Sequence, residues 1–231
     1  MPAELYYSEN EYDEGISADG SSERIKDVVE AVGKYVCVRR EKGKMFLVIE
    51  GDNGSGKTTI GKLLETDGFR IITEDSDIKE LELSSKKFPK SSQKRIESFL
   101  QYNRCCGKKS QDYENSLLVR YLVSTLAAAY SDNVFSENET LERAKEIIGK
   151  IEKPDFCIYL ECDYSERVKR IEDRKILRAN LEDDTSTERD LRYQKIIAEL
   201  AEIIPNFKTI SVSEKSPEQI KSEIYDIIGR K

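Results

Sequence analysis

The sequence predicts an α/β fold, a five-stranded parallel sheet sandwiched by helices, with an N-terminal helical extension. Two observations carry this. Short runs rich in β-branched and aromatic residues alternate with stretches of helical period, the arrangement that lays crossover helices on both faces of a parallel sheet. Directly after the first such run, residues 45–49, the chain reads Gly51, Asp52, Asn53, Gly54, Ser55, Gly56, Lys57, Thr58, filling every fixed place of the phosphate-binding pattern G-x-x-x-x-G-K-[ST]. A strand before that loop and a helix after it make the fold a P-loop NTPase, and 231 residues suffice for one such domain with an appendage.

Residues 1–24 hold seven carboxylates against one Arg and no periodic apolar spacing, the composition of an acidic, solvated arm. Ile25, Val28, Val29 and Val32 then recur at helical spacing, so a helix is expected over 22–38, with 35–39 readable instead as a short strand. Gly43 turns the chain into the first sheet strand, dividing a 1–44 extension from a 45–231 core domain. Beyond the loop, Ile60, Leu63 and Leu64 mark a helix, 69–73 a short strand, and 93–106 a helix with Ile96, Phe99 and Leu100 on one side. Residues 115–130 read two ways: one long helix, or a buried strand at 117–119 followed by a helix from near Val123. Pro154 introduces a strand at 156–162, and 208–212 supplies another. Further helices are expected at 139–151, 164–178, 187–204 and 217–229, the last opened by Ser216 as cap and Pro217 at its first position.

The loop's chemistry follows from its residue types. Three glycines let the backbone curl until successive N–H groups point at a phosphate, and the next helix turns its positive end to the same charge. Lys57 is placed to reach the β- and γ-phosphates, the Thr58 hydroxyl to ligate Mg2+, and Thr59 to complete the ATP-binding set. Composition removes other classes. The net charge is −7 and the basic residues are spread along the chain, unlike the basic stripe of a nucleic-acid binder. Five cysteines, odd in number and without a C-x-x-C pair, indicate neither a zinc site nor a disulfide framework and read as thiols of a reducing cytosol. No histidine occurs, so imidazole is absent from any catalytic scheme. With no signal peptide and no run of 18 apolar residues, a cytoplasmic protein away from the membrane is expected.

Three further segments carry a family resemblance. Residues 46–51, Phe-Leu-Val-Ile-Glu-Gly, resemble the opening strand of the thymidylate kinase family of nucleoside monophosphate kinases, to which deoxynucleoside kinases are related. Residues 120–130, beginning Arg-Tyr-Leu-Val-Ser-Thr, resemble that family's D-R-Y-x-x-S-T-x-A-Y segment, and Pro154-Asp155 with Tyr159-Leu160 its fourth strand. The resemblance covers residues 45–229 and implies ATP and Mg2+ as cofactors, a nucleotide as acceptor and phosphoryl transfer as the reaction. It leaves a homodimer open. Arg120, and Arg104 at the end of the preceding helix, would grip the acceptor phosphate with planar guanidinium forks. Arg170, Arg174 and Arg178 would belong to a lid around 164–186, with Arg174 joining Lys57 and Arg120 in catalysis. The same trio also reads as a solvated helix face paired with Glu166, Glu172 and Asp173. Glu74 keeps the Glu of the family's R-E-P-G turn and would face the acceptor.

Two departures bear on the chemistry. Val119 stands where the family has the Asp of D-R-Y, and Asn53 where its loop has an Asp that senses the sugar. A hydroxyl acceptor needs a base, whereas a phosphate acceptor is already ionised and needs positioning and charge neutralisation. Loss of the acid therefore points to a monophosphate acceptor, pyrimidine by resemblance. Two alternatives stand beside it: a kinase for a nucleoside or other small metabolite, and an ATP-binding switch or weak ATPase.

Overall fold

The computed structural model describes residues 44–177 and 186–230. The acidic arm, the helix expected over 22–38 and Arg178 lie outside the described residues, as do the side chains of Glu74 and Arg174. The sheet has five strands, β1 (Met45–Gly51), β2 (Arg70–Ile71), β3 (Asn115–Val119), β4 (Phe156–Glu161) and β5 (Phe207–Ser211), in the order β2-β3-β1-β4-β5. All four pairings are parallel. The described helices are α1 (Lys57–Thr66), α2 (Ser76–Lys86), α3 (Gln93–Lys109), α4 (Leu122–Ser131), α5 (Glu137–Ile148), α6 (Tyr164–Leu177), α7 (Thr187–Ile203) and α8 (Pro217–Ile228).

β1 is the central strand, and its two-residue period distributes side chains between two cores. Phe46 and Val48 enter the core shared with Leu118 of β3, Leu126 of α4, and Tyr193 and Leu200 of α7. Leu47 and Ile49 enter the opposite one, with Ile60 and Leu64 of α1 and Ile224 of α8. Burial on both faces is why this strand reads as a continuous apolar run. Its two neighbours, β3 and β4, leave it in opposite directions across the sheet, so the crevice at its C-terminal end is the topological switch point where α/β sheets bind ligands. Among the described residues no helix is long and apolar enough to cross a membrane.

Of the two readings of 115–130, the strand followed by a helix is the one observed, with α4 starting at Leu122. The second strand is shorter than expected. After Ile71 the chain turns into a 3-10 segment, Ile72–Glu74, because Asp75 is drawn back to Arg70 at 2.5 Å and to the Tyr113 hydroxyl at 2.8 Å. Helix α2, unanticipated in the sequence, starts directly after Asp75 and packs on α3. Asp75 is thus a buried carboxylate with a structural role. Burial raises its pKa, but Arg70 and Tyr113 outweigh that and hold it below the usual carboxylate range.

Candidate active site

The phosphate loop leaves β1 at Gly51 and enters α1 at Lys57, with Gly56 in the left-handed region (φ 91°) at the helix N-cap. Lys57 is buried. Its Nζ donates to the Asp52 carbonyl at 2.5 Å and to Ser55 Oγ at 3.3 Å, so the ammonium spans the loop from inside. Thr58 and Thr59 are exposed at the first turn of α1. The arrangement fits a triphosphate: α1 begins without a side-chain cap, leaving its first N–H groups for an anion. Among the described residues no cluster of three or more acidic or cysteine side chains could hold a metal, so Mg2+ would rely on Thr58 together with phosphate oxygens, as this cation commonly does.

Arginines reach the loop from both neighbouring strands. Arg120 follows β3, on one flank of β1, and its guanidinium donates to Asn53 Oδ1. Its backbone is left-handed (φ 75°), rare for a residue other than glycine and worth about 1–3 kcal/mol of strain. The corner is held by its neighbours: Arg120 N donates to Ile49 O at 3.0 Å, and the carboxylate of Glu50 accepts from Tyr121 N at 2.9 Å, Ser124 N at 3.3 Å and Ser124 Oγ. Helix α4 has no side-chain cap from its own N-cap residue, so the fully buried Glu50 takes that role from the end of β1. Burial pushes the Glu50 carboxyl up, and the hydrogen bonds from Ser124 and Tyr121 pull it back only in part.

From the other flank, α6 lies against the loop. Arg170 donates from Nη1 to Gly54 O at 3.3 Å and from Nη2 to Glu166 at 2.5 Å, so it serves the loop and the helix face together. A Cβ on Gly54 would stand 2.9 Å from the Arg167 carbonyl, and the loop residue has φ +87°, so only glycine lets α6 approach this closely. Arg167, absent from the sequence-based set, is the most deeply placed of these arginines. Its Nη1 meets Asp52 Oδ2 at 2.9 Å and Asn53 O at 3.2 Å, and its Nη2 meets Asp190 of α7. A signal for it was present: Arg167 lies three residues before Arg170 on the same helical face, and an acid inside a phosphate loop calls for a cation.

The remaining expectations divide. Arg104 lies on α3 with its Nε buried and unpartnered, and its charge acts on Glu146 of α5; no described hydrogen bond or ion pair joins it to the loop. Asp52 belongs to the loop, but its carboxylate is taken by Asn53 N at 2.7 Å and by Arg167. Val119 packs on α1, where a Cβ on Gly61 would stand 2.9 Å from Val119 Cγ2, so the residue at the end of β3 is an apolar filler between sheet and helix.

No curated protein matches the chain. Among solved structures, a thymidylate kinase from Candida albicans superposes with a TM-score of 0.61 at 20% identity, over 80% of this chain and 91% of that one. A deoxyadenosine kinase from M. mycoides with bound dATP does so with 0.57 at 17% identity, over 80% and 100%. At these identities the likeness is one of fold. The family model for thymidylate kinase matches residues 93–224, a span that begins after the phosphate loop and so adds to it independently. Since that span is more than half of the chain and holds α3, the β3–α4 corner and the arginine-bearing helix α6, the chain belongs to the thymidylate kinase family.

Proposed function

We propose that the protein transfers the γ-phosphoryl group of Mg-ATP to a pyrimidine nucleoside monophosphate of the dTMP type. The observation that supports this best is the pair of guanidinium groups, Arg120 and Arg170, brought to one phosphate loop from opposite flanks of β1. Phosphoryl transfer asks the protein for positioning and charge neutralisation on both sides of the moving group. Lys57 and Arg170 would serve the donor, Arg120 the acceptor phosphate. Mg2+, held by Thr58, would neutralise charge between the β- and γ-phosphates. Arg174 and Arg178 would serve the lid, and Arg104 and Glu74 would contribute on the acceptor side.

A phosphate acceptor is favoured over a hydroxyl because several described carboxylates that could act as a base are committed to protein partners. Glu50 caps α4, Asp52 pairs with Arg167, Asp75 pairs with Arg70, and position 119 holds Val. A base to take a hydroxyl proton is therefore hard to supply, whereas an ionised phosphate needs none. The test is an acceptor panel of dTMP, dUMP, CMP and thymidine with Mg-ATP, following ADP release. Monophosphates are expected to respond; a response to thymidine alone overturns the reading. Arg120→Lys is expected to raise the acceptor KM or lower kcat by about 10- to 100-fold, the worth of one charge-assisted hydrogen bond, with ATP affinity nearly intact. An equal loss of ATP affinity in that variant would move Arg120 to the donor side.

A further inference from the structure

An acid inside a phosphate-binding loop is an electrostatic oddity, because it faces the same space as a ligand carrying several negative charges. Asp52 is such an acid, and it is buried. We infer that Arg167 is a positioning residue for the phosphate loop, which neutralises Asp52 from within the protein and ties residues 52–53 to α6 and α7, so that the loop is set for nucleotide before nucleotide arrives. This deepens the donor-site reading above and rests on it.

Four observations support the inference. The three charged side chains Arg167, Asp52 and Asp190 are 6%, 6% and 13% exposed, so water screens them little. The guanidinium divides its donors: Nη1 serves Asp52 Oδ2 at 2.9 Å and the Asn53 carbonyl at 3.2 Å, while Nη2 serves Asp190. Asn53 is also the residue that Arg120 touches, so one loop dipeptide is held from the acceptor flank through its side chain and from the donor flank through its main chain. Two carboxylates, Asp52 and Asp190, share the one guanidinium of Arg167. Burial and the neighbouring Asp52 push the Asp190 carboxyl up to about 6 against the pull of Arg167. Without the guanidinium, two acids would face each other under the loop, and their repulsion would add to that from the incoming triphosphate. Lysine could not replace it fully, since one ammonium cannot reproduce the planar fork that meets both acids.

The experiment compares Mg-ATP affinity, by calorimetry on the full chain, in wild type, Arg167→Met, Arg167→Lys and the double variant Asp52→Asn with Arg167→Met. Arg167→Met is expected to weaken Mg-ATP binding by at least about tenfold, the factor 1.4 kcal/mol represents. Arg167→Lys should fall between it and wild type. Removing the Asp52 charge as well should return the affinity to within about threefold of wild type, because what harms the single variant is an uncompensated carboxylate. A role in packing alone predicts no such recovery. The inference is overturned if Arg167→Met binds as wild type does, or if the double variant stays as weak as the single one. Should Arg167→Met fail to fold, the double variant, which keeps the net charge of this cluster at its wild-type value, must still fold and bind, and its failure to do so also overturns the inference. Wild type that binds no Mg-ATP at all would instead refute the phosphate-loop reading beneath it.

Discussion

Replacing Lys57 with Ala is expected to lower ATP-dependent turnover by on the order of 10²- to 10³-fold, the usual consequence of removing a preorganised donor from developing negative charge. The size follows from where the ammonium sits. It is buried under the loop and donates to the Asp52 carbonyl and to Ser55 Oγ. Exchange of these two neutral acceptors for phosphate oxygens is favourable, because a hydrogen bond between two charged groups is the stronger one. Lys57→Met separates charge from packing, because it keeps the aliphatic stem that fills the space beneath the loop. Both variants should lose turnover alike, while the Met form should keep more of the thermal stability. The check is ADP release with the acceptor that responds best, alongside a thermal melt. Unchanged ATP-dependent activity in either variant would sink the assignment of this loop as the donor site.

The loop could be found in the sequence because its chemistry is local: eight consecutive residues carry the curl, the cation and the hydroxyl. Strands β1 and β4 were visible for a related reason, being buried on both faces and so continuous in β-formers. The contacts that make the loop a site were not visible, because they join residues far apart in the chain. Arg167 lies 114 positions from Asn53 and Arg120 lies 67 from it. The spacing of four among Arg170, Arg174 and Arg178 in the sequence drew attention from Arg167, which stands three residues before Arg170 and meets the loop more deeply. Helix α2 was missed because only Ile78 and Ser85 of its eleven residues are buried, so it shows almost no apolar period. Arg104, which the resemblance assigns to the acceptor, lies on α3 with its Nε buried, and its charge is felt by Glu146 of α5.

Glu50→Ala should be among the most destabilising single changes in the described core. The carboxylate is fully buried and accepts from three donors at the start of α4, and truncation leaves Tyr121 N, Ser124 N and Ser124 Oγ without acceptors. Each unsatisfied buried donor costs about 1–3 kcal/mol, so the loss is at least about 3 kcal/mol. For a domain of this size that is a fall in Tm of about 6–12 °C. Glu50→Gln tests whether charge or shape is the essential part. Its amide can present one oxygen to three donors and must turn its own NH2 toward at least one of them, so it should recover only a fraction of the loss. The functional consequence is separable from the structural one. Arg120 holds its left-handed backbone only while Glu50 fixes the residues after it, and relaxing that corner swings the guanidinium away from Asn53. Acceptor KM in Glu50→Gln should therefore rise more than Mg-ATP affinity falls, because the donor-side groups Lys57 and Arg170 are anchored by other elements. A melt unchanged by Glu50→Ala would mean that α4 finds another cap, and an equal loss at both substrates would mean that the corner supports the whole loop and not Arg120 alone.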